Sequence, residues 1–160
     1  MSEIREILSE ILDGAQTVAI IGCGSLLMGD DAAGSLIARR LSLLSGSAAA
    51  FCCETAPENF TGDIKRLKPD VLLAIDAADM GLAPGAAALI PVGDIGGASF
   101  NTHMLPLRLM LEYLRLETGC RVYLLGIQGK KMAYSEHVTP EVGETVDEIA
   151  DTLEKLLGNL

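Results

Sequence analysis

Three short runs constrain this chain more than any other feature: "TVAIIGC" (17–23), "VLLAID" (71–76) and "RVYLLGIQ" (121–128). Each has the length of a strand and is apolar along most of it, without the in–out alternation of a sheet that faces water on one side. Such strands must be covered on both faces. The segments between them supply the cover. "SEIREILSEILDG" carries Ile4, Ile7, Leu8, Ile11 and Leu12 on one helical face and is ended by Gly14. "DAAGSLIARRLSLLSG" (31–46) predicts a helix with Leu36, Ile37, Leu41 and Leu44 inward. A short helix is predicted before Pro69 and a longer one over 103–119. The last helix fills 139–160, with Thr139 as its cap, Pro140 at its first position and Val142, Val146, Ile149, Leu153 and Leu156 as its buried stripe. "AAAFCC" (48–53) reads as a second strand. "AAALIPV" (86–92) reads as an edge strand, because Pro91 cannot donate to a ladder. The expected fold is α/β: a three-layer sandwich, with a mostly parallel twisted sheet of about five strands and helices on both faces. One domain is expected over 1–160, with residues 1–14 as an N-terminal helical extension.

Charge narrows the partners. The formal net charge is −10, which repels phosphate backbones and anionic lipid, so neither nucleic acid nor a membrane is an expected partner. No apolar run approaches the roughly 18 residues of a membrane span, and no signal peptide is visible. Cys23, Cys52, Cys53 and Cys120 lack C-x-x-C spacing. They read as reduced thiols, most of them buried, in a cytoplasmic protein. A monomer is expected.

The stretch "IIGCGSLLMGDDAAGSLIARRL" (20–41) poses a conflict. A glycine-rich turn from strand to helix is the usual cradle of a phosphate, yet this one sets Asp30 and Asp31 inside it. Against G-x-G-x-x-G, Gly22 and Gly24 fit, but the third position is Leu27. No G-K-[ST] follows, so a P-loop fails outright. Two carboxylates beside a pyrophosphate would repel it by several kcal/mol in a partly buried site. A dinucleotide is therefore the weaker reading.

A cation is the physical alternative. Asp31 lies just past the first strand, and Asp76 ends the "VLLAID" run. In a doubly wound sheet of order 2-1-3 these strands are neighbours, ~4.8 Å apart, and their carboxyl ends flank the topological switch point. His103 follows the loop "GASFNTH" and can fold over the same crevice. Two carboxylates and an imidazole suit nickel or zinc and leave positions open for water or substrate. The alternative for a buried strand-end aspartate is a simple loop or helix cap.

At this point the chain resembles the hydrogenase maturation endopeptidases, most closely the type serving the formate-hydrogenlyase hydrogenase. The matching blocks are "GCGSLLMGDDAAG", "TAPENF", "LLAIDAADMGLAPG", "NTHMLPL" and "LLGIQ". Their order and spacing follow the family's over nearly the whole chain after the first helix. The resemblance implies an endopeptidase that removes the C-terminal extension of a nickel–iron hydrogenase large-subunit precursor once nickel is inserted. It places metal contact and catalysis on Asp31, Asp76 and His103. It also implies nickel carried by the substrate rather than owned by the protease, with zinc or cadmium able to occupy the site in vitro. No serine or cysteine nucleophile with a paired base is evident.

Three positions depart from the family pattern. Ser25 replaces the asparagine of G-x-G-N, and Ala32 replaces the glycine after the acid pair. Most consequentially, Cys52 stands where an aspartate followed by glycines usually ends the second strand. Glu54, two residues on, shares its face if the strand stays extended, and is the candidate replacement. This departure sustains a rival expectation: a non-catalytic homologue that binds the large subunit and checks its nickel. Of the remaining polar and sulfur residues, Asp30 reads as a cap of the following helix and Glu58 and Asn59 as caps of the next. Asp79 and Met80 read as shaping the crevice loop, His137 as a surface or loop anchor, and Met104 and Met110 as core.

Overall fold

The structure, a computed structural model, describes residues 2–94 and 104–160. In chain order it contains α1 (Glu3–Leu12), β1 (Val18–Cys23), α2 (Ala33–Arg40), β2 (Ala48–Glu54), α3 (Thr61–Leu67) and β3 (Val71–Ala78). These are followed by β4 (Ala87–Ile90), α4 (Leu105–Thr118), β5 (Arg121–Gln128) and α5 (Pro140–Leu157). The sheet order is β2-β1-β3-β5-β4. The first four strands are parallel, and β4 pairs antiparallel with β5 at the edge, stopping one residue before Pro91.

The apolar strands are shared between two cores. Val18, Ile20, Val71, Leu73, Ile75, Leu125 and Ile127 pack with α1, α2 and α5. The alternating residues Ala19, Ile21, Leu72, Ala74 and Leu124 pack with α3 and α4 on the opposite face. The period of two thus runs between two buried layers rather than between core and water.

Two glycines near the first turn, Gly22 and Gly34, serve packing. A Cβ on Gly22 would lie 2.0 Å from the carbonyl oxygen of Gly34, and one on Gly34 would lie 2.0 Å from that of Ile75. The backbone of α2 therefore rests directly on β1 and β3. Helix α2 is shorter than the sequence predicts. After Arg40 the chain turns, the Ser42 hydroxyl donates to the Arg39 carbonyl, and Leu43 is 92% exposed. Serine's local hydrogen bonding offers the backbone an alternative to continuing the helix. In contrast, β3 is longer than predicted. It pairs with β5 through Ala78, so Asp76 lies two residues inside the strand, opposite Gly126.

Asp30 does not cap α2. Its carboxylate is fully buried and accepts from the backbone N–H groups of Lys130, Lys131 and Thr139 and from the Thr139 hydroxyl. The Thr139 side chain is thereby taken from the cap of α5, which has no side-chain cap bond. Burial would raise the Asp30 pKa, but these donors, Lys131 first, outweigh it and hold the carboxyl below its ordinary 3.8. Its stabilisation is complete above that value and is lost as the pH falls below it, because the unfolded chain then binds the proton first. Asp30→Ala is expected to lower unfolding free energy by about 3 kcal/mol, since it strands several buried donors. Urea denaturation at neutral and acid pH measures both effects, and the variant should show a smaller acid-side loss than the wild type.

Candidate functional site

The chain leaves β1 on one side, toward β2, and reaches β3 on the other, so a crevice opens between the carboxyl ends of β1 and β3. It measures about 530 Å³ and is lined by Cys23, Gly24, Asp31, Glu54, Thr55, Pro57, Glu58, Asp76, Pro106, Leu107 and Met110. Asp31 stands in the 3-10 turn Gly29–Ala32 that leads into α2. One of its oxygens accepts the Ser25 N–H at 2.8 Å. Gly24, at φ +123°, lets the Asp31 carbonyl cross above it, where a Cβ would come within 1.6 Å. The local fold thus fixes Asp31 at the lip of the crevice.

Asp76 faces the crevice from β3 and is 8% exposed. Burial first, and then the charge of Asp31, push its carboxyl up to about 7, although the Ala77 N–H pulls the other way. A carboxyl with that value exchanges a proton near neutrality, and its charged form calls for a cation. The sequence expectation grouped Asp31, Asp76 and His103. The structure brings the first two together, and His103 lies outside the described residues. Among the described residues, no three His, Cys, Asp or Glu side chains form a cluster able to hold an ion.

The second strand ends differently from the sequence expectation. Its register with β1 slips between Gly22 and Cys23, placing Cys23 opposite Glu54. Glu54 adopts φ +49°, so the chain is not extended there. Its carbonyl accepts the Gly24 N–H at 2.8 Å, and it lines both the crevice of Asp31 and Asp76 and a neighbouring hollow. Cys52 lines a neighbouring hollow with Ser25, Thr55, Asn59 and Phe60. Cys23 touches the crevice, but its thiol is pushed well above the ordinary value by hydrogen bonding with Cys53, by burial and by the carboxylates. It stays protonated and is no nucleophile.

Several smaller readings hold. Asp79 accepts from the Gly81 N–H and the Gln128 side chain, and the Gln128 oxygen takes the Met80 and Leu82 N–H groups. His137 is exposed and exchanges hydrogen bonds with Ser135. Met104 and Met110 are buried. Glu58 departs from its reading as a cap. It lies in a proline-led 3-10 turn, Pro57–Phe60, and lines the crevice, while α3 has no side-chain cap bond. The buried Met110 also joins Pro106 and Leu107 in an apolar wall of the crevice that the sequence does not single out. The three-residue spacing of Leu107 and Met110 on α4 was its signal.

Because Asp76 has its pKa raised on folding, the native state binds more protons than the unfolded chain between 3.8 and about 7. Stability therefore falls as the pH rises through that window. Asp76→Asn should remove the slope and gain on the order of 4 kcal/mol above it. Unfolding curves collected at pH values spanning the window test this, and an unchanged slope would count against the assignment.

The hydrogenase maturation protease family model matches residues 54–157. The Hydrogenase 3 maturation protease of Escherichia coli is 33% identical over 145 residues, covering 89% of this chain and 92% of that protein. The crystal structure of the [NiFe] hydrogenase maturation protease HycI from Thermococcus kodakarensis superposes with a TM-score of 0.88 at 29% identity, covering 96% and 99% of the two chains. The solution structure of the endopeptidase HycI from Escherichia coli gives a TM-score of 0.74 at 30% identity, covering 88% and 90%. With a family model matched over more than half its length and its fold shared with these structures, the chain belongs to the hydrogenase maturation proteases.

Proposed function

We propose that this protein is the endopeptidase that removes the C-terminal extension of a nickel–iron hydrogenase large-subunit precursor after nickel has been inserted. The observation that carries the reading is the carboxylate pair: Asp31 and Asp76 share one crevice at the switch point, and Asp76 is poised near neutrality. A buried aspartate beside a second carboxylate, without a described cationic partner, fits a site completed by a positive ion. In this reading the ion is nickel, delivered as part of the substrate. Asp31 and Asp76 recognise it, with His103 as the third contact, and so bring the scissile peptide into the crevice. Bound nickel supplies Lewis acidity at the carbonyl.

The protein's own residues carry the proton traffic. As water adds to the carbonyl carbon, its proton passes to the Asp76 carboxylate. As the carbon–nitrogen bond breaks, that proton goes to the departing amine. Asp31, held by the Ser25 N–H, keeps its orientation throughout. Glu54, which lines the crevice, takes in this scheme the role of the family's acid that Cys52 replaces. Cys52 itself has no role in this scheme.

Processing of the nickel-loaded but not the nickel-free precursor is expected, followed by the shift in mass on cleavage. Tight binding of the loaded precursor without cleavage would instead establish the checkpoint reading that the Cys52 departure favours. Asp31→Asn and His103→Ala should each reduce the cleavage rate by about 100-fold or more with the fold retained by circular dichroism. Glu54→Gln should lower the rate, whereas Cys52→Ala should leave it close to wild type. The reverse pattern would remove Glu54 from the site.

A further inference from the structure

A crevice of about 530 Å³ holds only a short piece of a polypeptide. A specific protein complex buries roughly 800 Å² on each partner. A protease that selects one folded precursor must therefore grip it beside the crevice as well as within it. Next to the crevice, joined to it through the Ser25 N–H that donates to Asp31, lies a surface of that kind. Residues 25–29 and 131–135 run side by side as a short ladder. The Gly29 N–H donates to the Ser135 carbonyl at 3.0 Å, the Ser135 N–H to the Leu27 carbonyl at 3.0 Å and the Asp30 N–H to the Lys131 carbonyl at 2.9 Å. Met28 and Ser135 form a parallel bridge.

This ladder is rigidly mounted. Gly29, at φ +57°, admits the Lys131 carbonyl where a Cβ would sit 2.6 Å away. The buried Asp30 carboxylate gathers the N–H groups of Lys130, Lys131 and Thr139 underneath. It is also joined to the site, since the Ser25 N–H at its start donates to Asp31. Met132 packs over Gly129 and lines a hollow with Ala77, Ala78, Asp79 and Met104, just past Asp76.

This mounted ladder presents four large apolar side chains beside the exposed Lys131. Leu27 is 49%, Met28 37%, Met132 41% and Tyr134 75% exposed, four of the ten exposed large hydrophobic side chains among the described residues. Methionine and tyrosine are enriched where proteins meet: tyrosine gives a large rigid contact, and methionine adapts to its partner. These side chains stand on backbone that the buried Asp30 carboxylate fixes at Lys130, Lys131 and Thr139.

We propose that the ladder of residues 25–29 and 131–135 is the docking edge for the folded body of the large-subunit precursor, contacted through Leu27, Met28, Met132 and Tyr134 while the scissile segment enters the crevice. This rests on the function proposed above and adds to it the surface that selects the substrate. The partner surface it fits is apolar and lies close to where the precursor's C-terminal segment leaves its folded body.

The test measures binding of the nickel-loaded precursor encoded in the same genome, by titration calorimetry, alongside cleavage. Leu27→Ser, Met132→Ser and Tyr134→Ser change exposed side chains and leave the fold intact by circular dichroism. Each is expected to raise Kd by about tenfold. Leu43→Ser, exposed on the α2–β2 connection, should leave Kd unchanged. Wild-type cleavage with all three ladder variants binding within about twofold of wild type overturns the docking edge and leaves the proposed function standing. A wild-type protein that neither binds nor cleaves the precursor overturns both. Sedimentation that shows a wild-type dimer dissolved by Tyr134→Ser would assign the ladder to self-association instead and equally overturn the proposal.

Discussion

A helix backbone lies directly on two strand backbones at the centre of this molecule, and the site depends on that contact. Gly22 and Gly34 have no side chains to keep α2 off β1, and the Gly34 α-carbon sits against the Ile75 carbonyl. With the helix drawn so close, the turn before it must fold tightly over the end of β1. That turn carries Asp31 to the crevice where Asp76, the residue after Ile75, faces it from β3. Of the glycines that suggest a phosphate cradle, Gly22 is needed for this approach and Gly24 for its positive φ beneath the Asp31 carbonyl. The carboxylates occupy the mouth that a phosphate would have used, and their charge reverses the sign of what can bind there.

The electrostatics of the crevice follow from this placement. Asp76 is buried where β3 meets the crevice, and Asp31 adds a like charge nearby. Neither burial nor repulsion favours ionisation, so the pair is most stable with a proton or a cation between its members. The apolar wall of Pro106, Leu107 and Met110 keeps the local dielectric low and strengthens whatever attraction an arriving cation feels. A protease arranged in this way has little use for a nucleophilic side chain. Cys23, the only thiol lining the crevice, is held protonated by the same surroundings.

Much of this architecture was legible in the sequence, because unbroken apolar strands separated by amphipathic helices admit few arrangements. The sheet order around β1 and β3, the edge position of β4 before Pro91 and the meeting of Asp31 with Asp76 all follow from that pattern. What escaped were features set by tertiary contact. Asp30 was read as a cap because the residues it binds lie about a hundred positions away, and nothing local announces Lys130, Lys131 and Thr139 as its partners. The length of β3 depended on pairing with β5, and the early end of α2 on a serine hydroxyl. The reading that puts Glu54 on the face of Cys52 holds only for an extended chain. The register slip at Cys23 and the positive φ that follows are invisible to side-chain periodicity. The position of His103 lies outside the described residues.

The conformation of Glu54 has a consequence for how this chain can evolve. A side chain in the left-handed region is disfavoured by about 1 kcal/mol or more relative to glycine, and Glu54 carries that cost at φ +49°. Replacing Glu54 with glycine would therefore relax the backbone while removing one carboxylate from the crevice lining. Robustness and charge pull in opposite directions at this single codon, so drift toward a sturdier fold would tend to erase that carboxylate.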